Sequence, residues 1–288
     1  MSFFRISYVN GRYVRHAEAS IHIEDRGYQF SDGVYEVIQI KQGKFIDLEP
    51  HIKRLSRSLD TLEIKKDISD KALETILYEL LRRNSVDNGT VYIQMTRGVA
   101  PRDHKFPSKK IRASIVITIQ HMNFPPESEY ERGVSVITYP DIRWGRRDVK
   151  SVSLLLNILA KEAAAKAKVK EAWLVKEDGT VTEGSSSNSF IVKDGVIYTH
   201  KADYSILGGI TRAIILELAK DNGINFKEES FSLEDAKNAD EAFASSTTMN
   251  VMPVTEIDGK KIGGGKVGEV TKKLVELYKK HVEEELSK

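Results

Sequence analysis

The chain has no cysteine, which excludes disulfide frameworks, thiolate nucleophiles and cysteine-ligated metal sites together. It also lacks any long hydrophobic run. The two longest, Ser114 to Ile119 and Leu154 to Ala160, fall far short of the roughly 20 residues of a membrane span. Its seven histidines never adopt a metal spacing such as H-E-x-x-H, so no metal site is expected. An excess of one charge is missing too: 44 basic residues face 42 acidic ones, and no dense basic stripe points to nucleic acid. The opening stretch "MSFFRISYVNGRYV" has no apolar leader core and reads as a hairpin turning at Asn10-Gly11. The expectation is a cytoplasmic protein that handles small molecules.

What is present suits a folded protein of two domains. The length is 288 residues, with 40% hydrophobic and 30% charged side chains. Turn dipeptides recur at Asn10-Gly11, Gln42-Gly43, Asp178-Gly179, Asp194-Gly195 and Asp258-Gly259. Most stand between β-branched or aromatic runs, as in "SFIVKDGVIYTH", and such hairpins imply antiparallel pairing. That argues against a doubly wound parallel sheet. Helical spacing is equally clear: Ile52, Leu55, Leu59 and Leu62 share one face, and a second helix starts on a Ser69 cap and carries Leu73, Ile76, Leu77, Leu80 and Leu81. "SLLLNILAKEAAAKAK" reads as a core-facing helix, "TRAIILELAKDNG" as one ending at Gly223, and the C-terminal "GEVTKKLVELYKKHVEEELSK" as another. Strands are expected at 90–97 and 112–120. "HMNFPPESEYERG", with Pro125-Pro126, is the best linker, which divides the chain into domains 1–121 and 122–288.

Several stretches carry chemistry. "KIGGGKVGEV" misses the phosphate-loop spacing, because Lys260 stands where the first glycine belongs, and no G-x-S-x-G elbow occurs. "VTEGSSSNSFIV" packs three serines between strands, a tight hydroxyl-rich turn suited to an anion, with Glu183 at its lip. "LGGITRAIILELAKDNG" runs a Gly-Gly turn into a helix, which leaves N–H groups and the helix dipole facing any ligand; alone, it is an ordinary capped start. "FASSTTMNVMPV" adds hydroxyls from Ser245 to Thr248. "DIRWGRRDVKSVSLL" puts Lys150 at the seam between a strand and a helix. A lysine there is either an ordinary solvated one or an amine wanted near the interior. Tyr35, in "FSDGVYEV", and Arg102 and His104, in "TRGVAPRDHKF", would suit a carboxylate, although an exposed basic loop is the commoner meaning of any one arginine. Hydroxyl-rich turns and a buried lysine without a metal motif suggest a phosphorylated organic cofactor.

In chain order, "EDRGYQFSDGVYEV", "PHIKRL", "TRGVAPRDH", "DIRW…RDVKS", "VTEGSSSN", "GITR", "SSTT" and "EIDGK…GKVGEVTKKL" resemble the pyridoxal-phosphate aminotransferases of fold type IV, class IV, and within them the branch acting on D-amino acids. The likeness spans nearly the whole chain. It implies an α/β (α+β) enzyme with a smaller N-terminal α/β domain, a larger C-terminal pseudo-barrel domain and pyridoxal 5'-phosphate as cofactor. It also implies a homodimer with the active site at the subunit interface, exchanging an amino group between D-amino acids such as D-alanine or D-glutamate and 2-oxo acids such as pyruvate or 2-oxoglutarate.

By that resemblance Lys150 is the catalytic Schiff-base lysine, its deprotonation helped by burial and by neighbouring Arg143, Arg146 and Arg147. Glu183 would partner the pyridine nitrogen. Arg54, with Ile210, Thr211, Ser246 and Thr247, would hold the phosphate, Leu207 would pack on the ring, and Ser186 and Ser187 would support the cofactor loop. Tyr35, Arg102 and His104 would trap the substrate carboxylate, the last two from the other subunit. The branched-chain L-aminotransferases share the fold but lack this R-x-H pair; (R)-amine transaminases and aminodeoxychorismate lyases are further alternatives, and a non-catalytic metabolite-binding protein is the alternative outside enzymes. One departure is Asn250, where relatives often carry an acid, and it bears on the side-chain pocket.

Overall fold

The computed structural model describes residues 5–108 and 110–288; the first four residues of the N-terminal stretch read above lie outside them. The chain forms two units, Met1–Asn123 with Val149–Ser153, and Phe124–Asp148 with Leu154–Lys288.

The first unit is an antiparallel sheet covered by two helices. Its elements are β1 (Ile6–Val9), β2 (Arg12–Arg15), α1 (Arg26–Phe30), β3 (Gly33–Lys41), β4 (Lys44–Phe45), α2 (Leu48–Thr61), α3 (Asp70–Asn84), β5 (Gly89–Thr96) and β6 (Ser114–His121), with sheet order β2-β1-β6-β5-β3-β4. The β1–β2 and β3–β4 hairpins turn at Asn10-Gly11 and Gln42-Gly43 as the dipeptides predict. Helices α2 and α3 bury Ile52, Leu55, Leu59, Leu73, Leu77 and Leu80 against Ile38, Ile40, Val91, Ile93 and Ile117 of the sheet. Burying each such side chain contributes about 1.5–3 kcal/mol. The Ser69 hydroxyl caps α3 by accepting from Ala72 N–H at 3.2 Å.

The second unit comprises α4 (Glu127–Arg132), β7 (Val134–Pro140), α5 (Leu155–Lys166), β8 (Glu171–Val175), β9 (Thr180–Gly184), β10 (Asn188–Lys193), β11 (Val196–Thr199), α6 (Ile210–Asp221), β12 (Phe226–Lys227), β13 (Phe231–Ser232), α7 (Leu233–Lys237), β14 (Glu241–Ser246), β15 (Asn250–Ile257), β16 (Lys260–Lys261) and α8 (Glu269–Ser287). The ladder runs β12-β11-β10-β14-β15-β7-β8-β9-β13, with β16 on β15. Only three residues join β9 to β10, yet four strands separate them in that ladder. The sheet must therefore curl back on itself, which is the pseudo-barrel expected. β7 pairs in parallel with both β8 and β15, and the remaining long pairings are antiparallel.

The division between the units, at Asn123 and Phe124, falls in the stretch read as a linker, which also holds α4, beginning directly after Pro126. Helix α5 is not core-facing through its leucines: Leu155, Ile158 and Leu159 are exposed at 68%, 59% and 45%, and the helix packs through Ala160 and Ala164 instead. Among the described residues no helix is long and apolar enough to cross a membrane.

Candidate active site

Lys150 belongs to a short stretch laid against β3. Val149 is buried in the first unit's core, Tyr35 N–H donates to Lys150 C=O at 3.0 Å, Val152 N–H donates to Gly33 C=O at 3.0 Å, and Ser151 bridges Val34. Lys150 N–H donates to the Ser58 hydroxyl at 3.4 Å. These backbone bonds fix where the side chain starts, and its Nζ lies 4.2 Å from the Tyr35 ring centroid. Tyr35 in turn stacks on Tyr92 at 5.7 Å. Burial, then the neighbouring Tyr35, pushes the Tyr92 phenol up to about 12, and its hydroxyl donates to Gln94 Oε1 at 2.7 Å.

Alternation along β3 turns Glu36 to the face opposite Tyr35, beneath α2. There Arg54 donates through Nε and Nη2 to the two Glu36 oxygens, each at 2.8 Å, and His51 Nδ1 lies 2.8 Å from Oε2. Burial alone would raise this carboxyl, but the Arg54 guanidinium and then His51 hold it far below the usual range. Burial pushes His51 down, so the ring is neutral with its proton on Nδ1, the neutral tautomer that can donate to an ionised carboxylate. Arg54 is thus a rigid, preoriented cation. Glu36 and His51 stand within "EDRGYQFSDGVYEV" and "PHIKRL", but neither stretch discloses that they meet around Arg54.

In the second unit Glu183 sits at the end of β9. Its Oε1 accepts from Arg143 Nη1 at 2.6 Å, and its Oε2 accepts from Asn188 Nδ2 and from Leu207 N–H, both at 3.1 Å. Burial pushes the Glu183 carboxyl up, opposed by Arg143 and the Leu207 N–H. Arg143 also grips Asp141 at 2.9 Å, and Arg143 keeps the Asp141 carboxyl down at about 2 against the upward pull of burial.

Asn188 Nδ2 also donates to Leu207 C=O at 2.9 Å. A Cβ on Gly209 would lie 2.1 Å from Asn188 Oδ1, so any other residue here would push the Asn188 amide out of place. Asn188 pairs in register with Ser245, which sets the end of β14 beside the start of α6. No side chain caps α6, because its N-cap is Gly209, and the buried Ser245 hydroxyl has no hydrogen-bond partner among the described residues. Uncapped N–H groups of Ile210 and Thr211 and the hydroxyl turn at Ser246 and Thr247 make a cradle that fits a phosphate. Glu183, fixed by the same Asn188 and Leu207, supplies the carboxylate a protonated ring nitrogen requires. The chain therefore fits the cofactor that the resemblance implies.

The three serines gather on an internal anion. Ser185, Ser186 and Ser187 all donate to the buried carboxylate of Glu171, the latter two at 2.8 and 3.1 Å. Their hydroxyls brace the turn between β9 and β10. The arginines near Lys150 in sequence are likewise committed to acids, Arg143 to Asp141 and Glu183, Arg146 to Asp148, and Arg147 to Asp141.

Arg102 and His104 share one side of their loop. The Arg102 guanidinium carbon lies 5.1 Å and the His104 ring 5.5 Å from the Phe30 ring centroid. Tyr35 belongs to a different group, with Lys150 and Tyr92.

The pattern for amino-transferase class IV matches residues 33–257, from the glycine opening β3 to the end of β15. The chain belongs to the class IV aminotransferases. A D-alanine aminotransferase of Staphylococcus haemolyticus is 44% identical over 276 residues, 96% of this chain and 97% of that protein. One from Bacillus licheniformis is 45% identical over 266 residues, 91% of this chain and 92% of its own length. Among solved structures, the T.th. branched-chain amino acid aminotransferase with pyridoxamine 5'-phosphate superposes with a TM-score of 0.87 at 27% identity, covering 96% of this chain and 94% of that one. The Escherichia coli branched-chain enzyme gives 0.86 at 25%, covering 94% and 92%. As a class IV aminotransferase this chain uses pyridoxal 5'-phosphate, an aldehyde that, when bound, draws electrons from the substrate Cα. Arg143, in "DIRW", and Asn188, in "VTEGSSSN", both touch Glu183, a contact that the sequence alone does not disclose.

Proposed function

We propose that this class IV aminotransferase exchanges an amino group between a D-amino acid, D-alanine or D-glutamate, and a 2-oxo acid, pyruvate or 2-oxoglutarate. It acts as a cytoplasmic homodimer. The observation that carries the choice is the pair Arg102 and His104 gathered on Phe30, a cation and a second donor held close together as a carboxylate clamp requires. The nearly full-length likeness to D-alanine aminotransferases supports it, against 25–27% identity to branched-chain enzymes.

In this reading Lys150 would hold the cofactor through its side-chain amine, and once substrate displaces it that amine would move a proton at the substrate Cα. Glu183, steadied by Arg143, Asn188 and Leu207, holds a proton on the pyridine nitrogen. Arg54, Ile210, Thr211, Ser246 and Thr247 bind the phosphate, and Leu207 packs on the ring. Ser186 and Ser187 act through Glu171 by holding the turn that follows Glu183. Tyr35, Arg102 and His104 orient the substrate carboxylate, which sets the Cα–H bond that faces Lys150. The substrate loop lies on the first domain and most cofactor ligands on the second. The exposed Leu155, Ile158 and Leu159 of α5 support a second copy as partner, since covering each would contribute about 2 kcal/mol.

Half-reactions of the holoenzyme test the reading. D-Alanine should convert the visible cofactor band fully, while L-leucine and (R)-1-phenylethylamine convert it far more slowly. Faster conversion by L-leucine would replace the D-specific reading with the branched-chain one.

A further inference from the structure

We propose that Arg26 and Phe30 are positioning residues that hold the loop after β5 in the shape that presents Arg102 and His104 to a carboxylate. The inference rests on the carboxylate reading of that pair and adds what fixes it.

Residues 101–106 are all exposed, so burial does not order them. The loop's first limb is tied by backbone: Arg26 N–H donates to Gly98 C=O at 2.9 Å, Asp25 bridges Val99, and Ala100 N–H donates to Glu24 C=O at 3.3 Å. Beyond Ala100, among the described residues, the segment around Arg102 and His104 is tied by two side chains of α1, and Arg97 lies over the Phe106 ring that follows. Arg26 Nη1 donates to Asp103 C=O at 2.6 Å, between the two carboxylate-reading residues, and Arg102 and His104 both lie against the Phe30 ring.

Arg26 is itself immobilised. It is 3% exposed, its Nε donates to Asp32 Oδ2 at 2.8 Å, and its guanidinium carbon lies 4.8 Å from the Phe30 centroid. Asp32 is shared with Arg97, which grips both its oxygens at 2.7 and 3.0 Å and lies 3.7 Å from the Phe106 ring centroid. Helix α1 is seated on β5 through Gly27, where a Cβ would meet Thr96 Cγ2 at 2.2 Å. The Asp25 carboxylate closes the joint, accepting from Gly27 N–H and from the Thr96 hydroxyl, both at 2.9 Å. A rigid strand end thus carries a rigid arginine, and that arginine carries the loop. An orienting pair works only if its donors wait in place, since ordering them at each encounter weakens binding.

The test uses holoenzyme variants Arg26→Leu, Arg26→Lys and Phe30→Leu. Losing a charge-assisted bond of this kind corresponds to about tenfold in affinity. KM for both D-alanine and 2-oxoglutarate should rise by about that factor for Arg26→Leu and Phe30→Leu, with kcat changed less than about twofold. Arg26→Lys keeps the charge but cannot span Asp32 and Asp103 together, so it should rescue little. Independently of activity, trypsin should cut after Arg102 or Lys105 at least about tenfold faster in the variants, because the loop opens more often. Unchanged KM, or unchanged cleavage in this loop, overturns the proposal; should Arg26→Leu fail to fold, Phe30→Leu decides. Arg102→Leu separates the two layers. If it leaves KM for D-alanine unchanged, the carboxylate reading fails; if it raises KM while the Arg26 and Phe30 variants do not, only the positioning role fails.

Discussion

Arg143 Nη1 stands 2.6 Å from Glu183 Oε1, and the same guanidinium holds Asp141 at 2.9 Å. The arginine therefore bridges two buried carboxylates. The second Glu183 oxygen takes an amide from Asn188 and a backbone N–H from Leu207, so the carboxylate cannot turn.

Neutralising that carboxylate should remove its hold on a ring proton without changing its shape. Glu183→Gln is expected to lower the transamination rate by on the order of a hundredfold, about 3 kcal/mol. Single-turnover kinetics with D-alanine check this. Normal rates in the variant would refute the role, whatever happens to cofactor affinity.

Lys150 is expected to carry the cofactor. Borohydride reduction followed by peptide mapping should label the peptide containing Lys150, and Lys150→Ala should lose the pH-sensitive visible band with nearly all turnover. Label on any other lysine contradicts the assignment.

Trans action of the substrate loop has its own test. Mixing inactive Arg102→Leu and Lys150→Ala subunits should restore up to about a quarter of wild-type activity, since half of the dimers are mixed and each has one intact site. Mixtures that stay inactive although heterodimers form would show that the loop serves its own subunit.

The Glu36, His51 and Arg54 cluster makes the protein acid-sensitive. Burial, above all, holds His51 below its ordinary 6.5, so the unfolded chain takes up a proton there that the folded one refuses. Stability is therefore full above that ordinary value and falls as pH drops through it. Glu36, depressed by Arg54 and His51 against the cost of its burial, adds a further loss below its ordinary 4.5. The melting temperature should fall between about pH 7 and 5, and His51→Gln should reduce that fall by about 2–4 °C. An identical pH dependence in the variant would contradict the coupling.

Much of this architecture was legible in the sequence because hairpins announce themselves. Asn10-Gly11 and Asp194-Gly195 turn where their dipeptides place them, with both Asn10 and Asp194 at positive φ. Periodicity gave the buried faces of α2 and α3 but misread α5, since a leucine stripe says that a face is apolar and not what covers it. The 185–187 serines were legible as a turn, whereas their direction depends on Glu171, fourteen and more residues upstream in the chain. Glu36, Arg143 and Asn188 act through partners remote in sequence, and spacing carries no record of such contacts. For the same reason nothing in "EDRGYQF" disclosed that Arg26 reaches Asp103.

The central claim is stereospecific transfer between D-amino and 2-oxo acids. Its most direct measurement is chiral analysis of the glutamate formed from 2-oxoglutarate when the holoenzyme is supplied with alanine of one hand at a time. D-Alanine should be consumed and D-glutamate should accumulate in equal amount, with L-alanine inert. Formation of L-glutamate, from L-alanine or from L-leucine, would contradict the account.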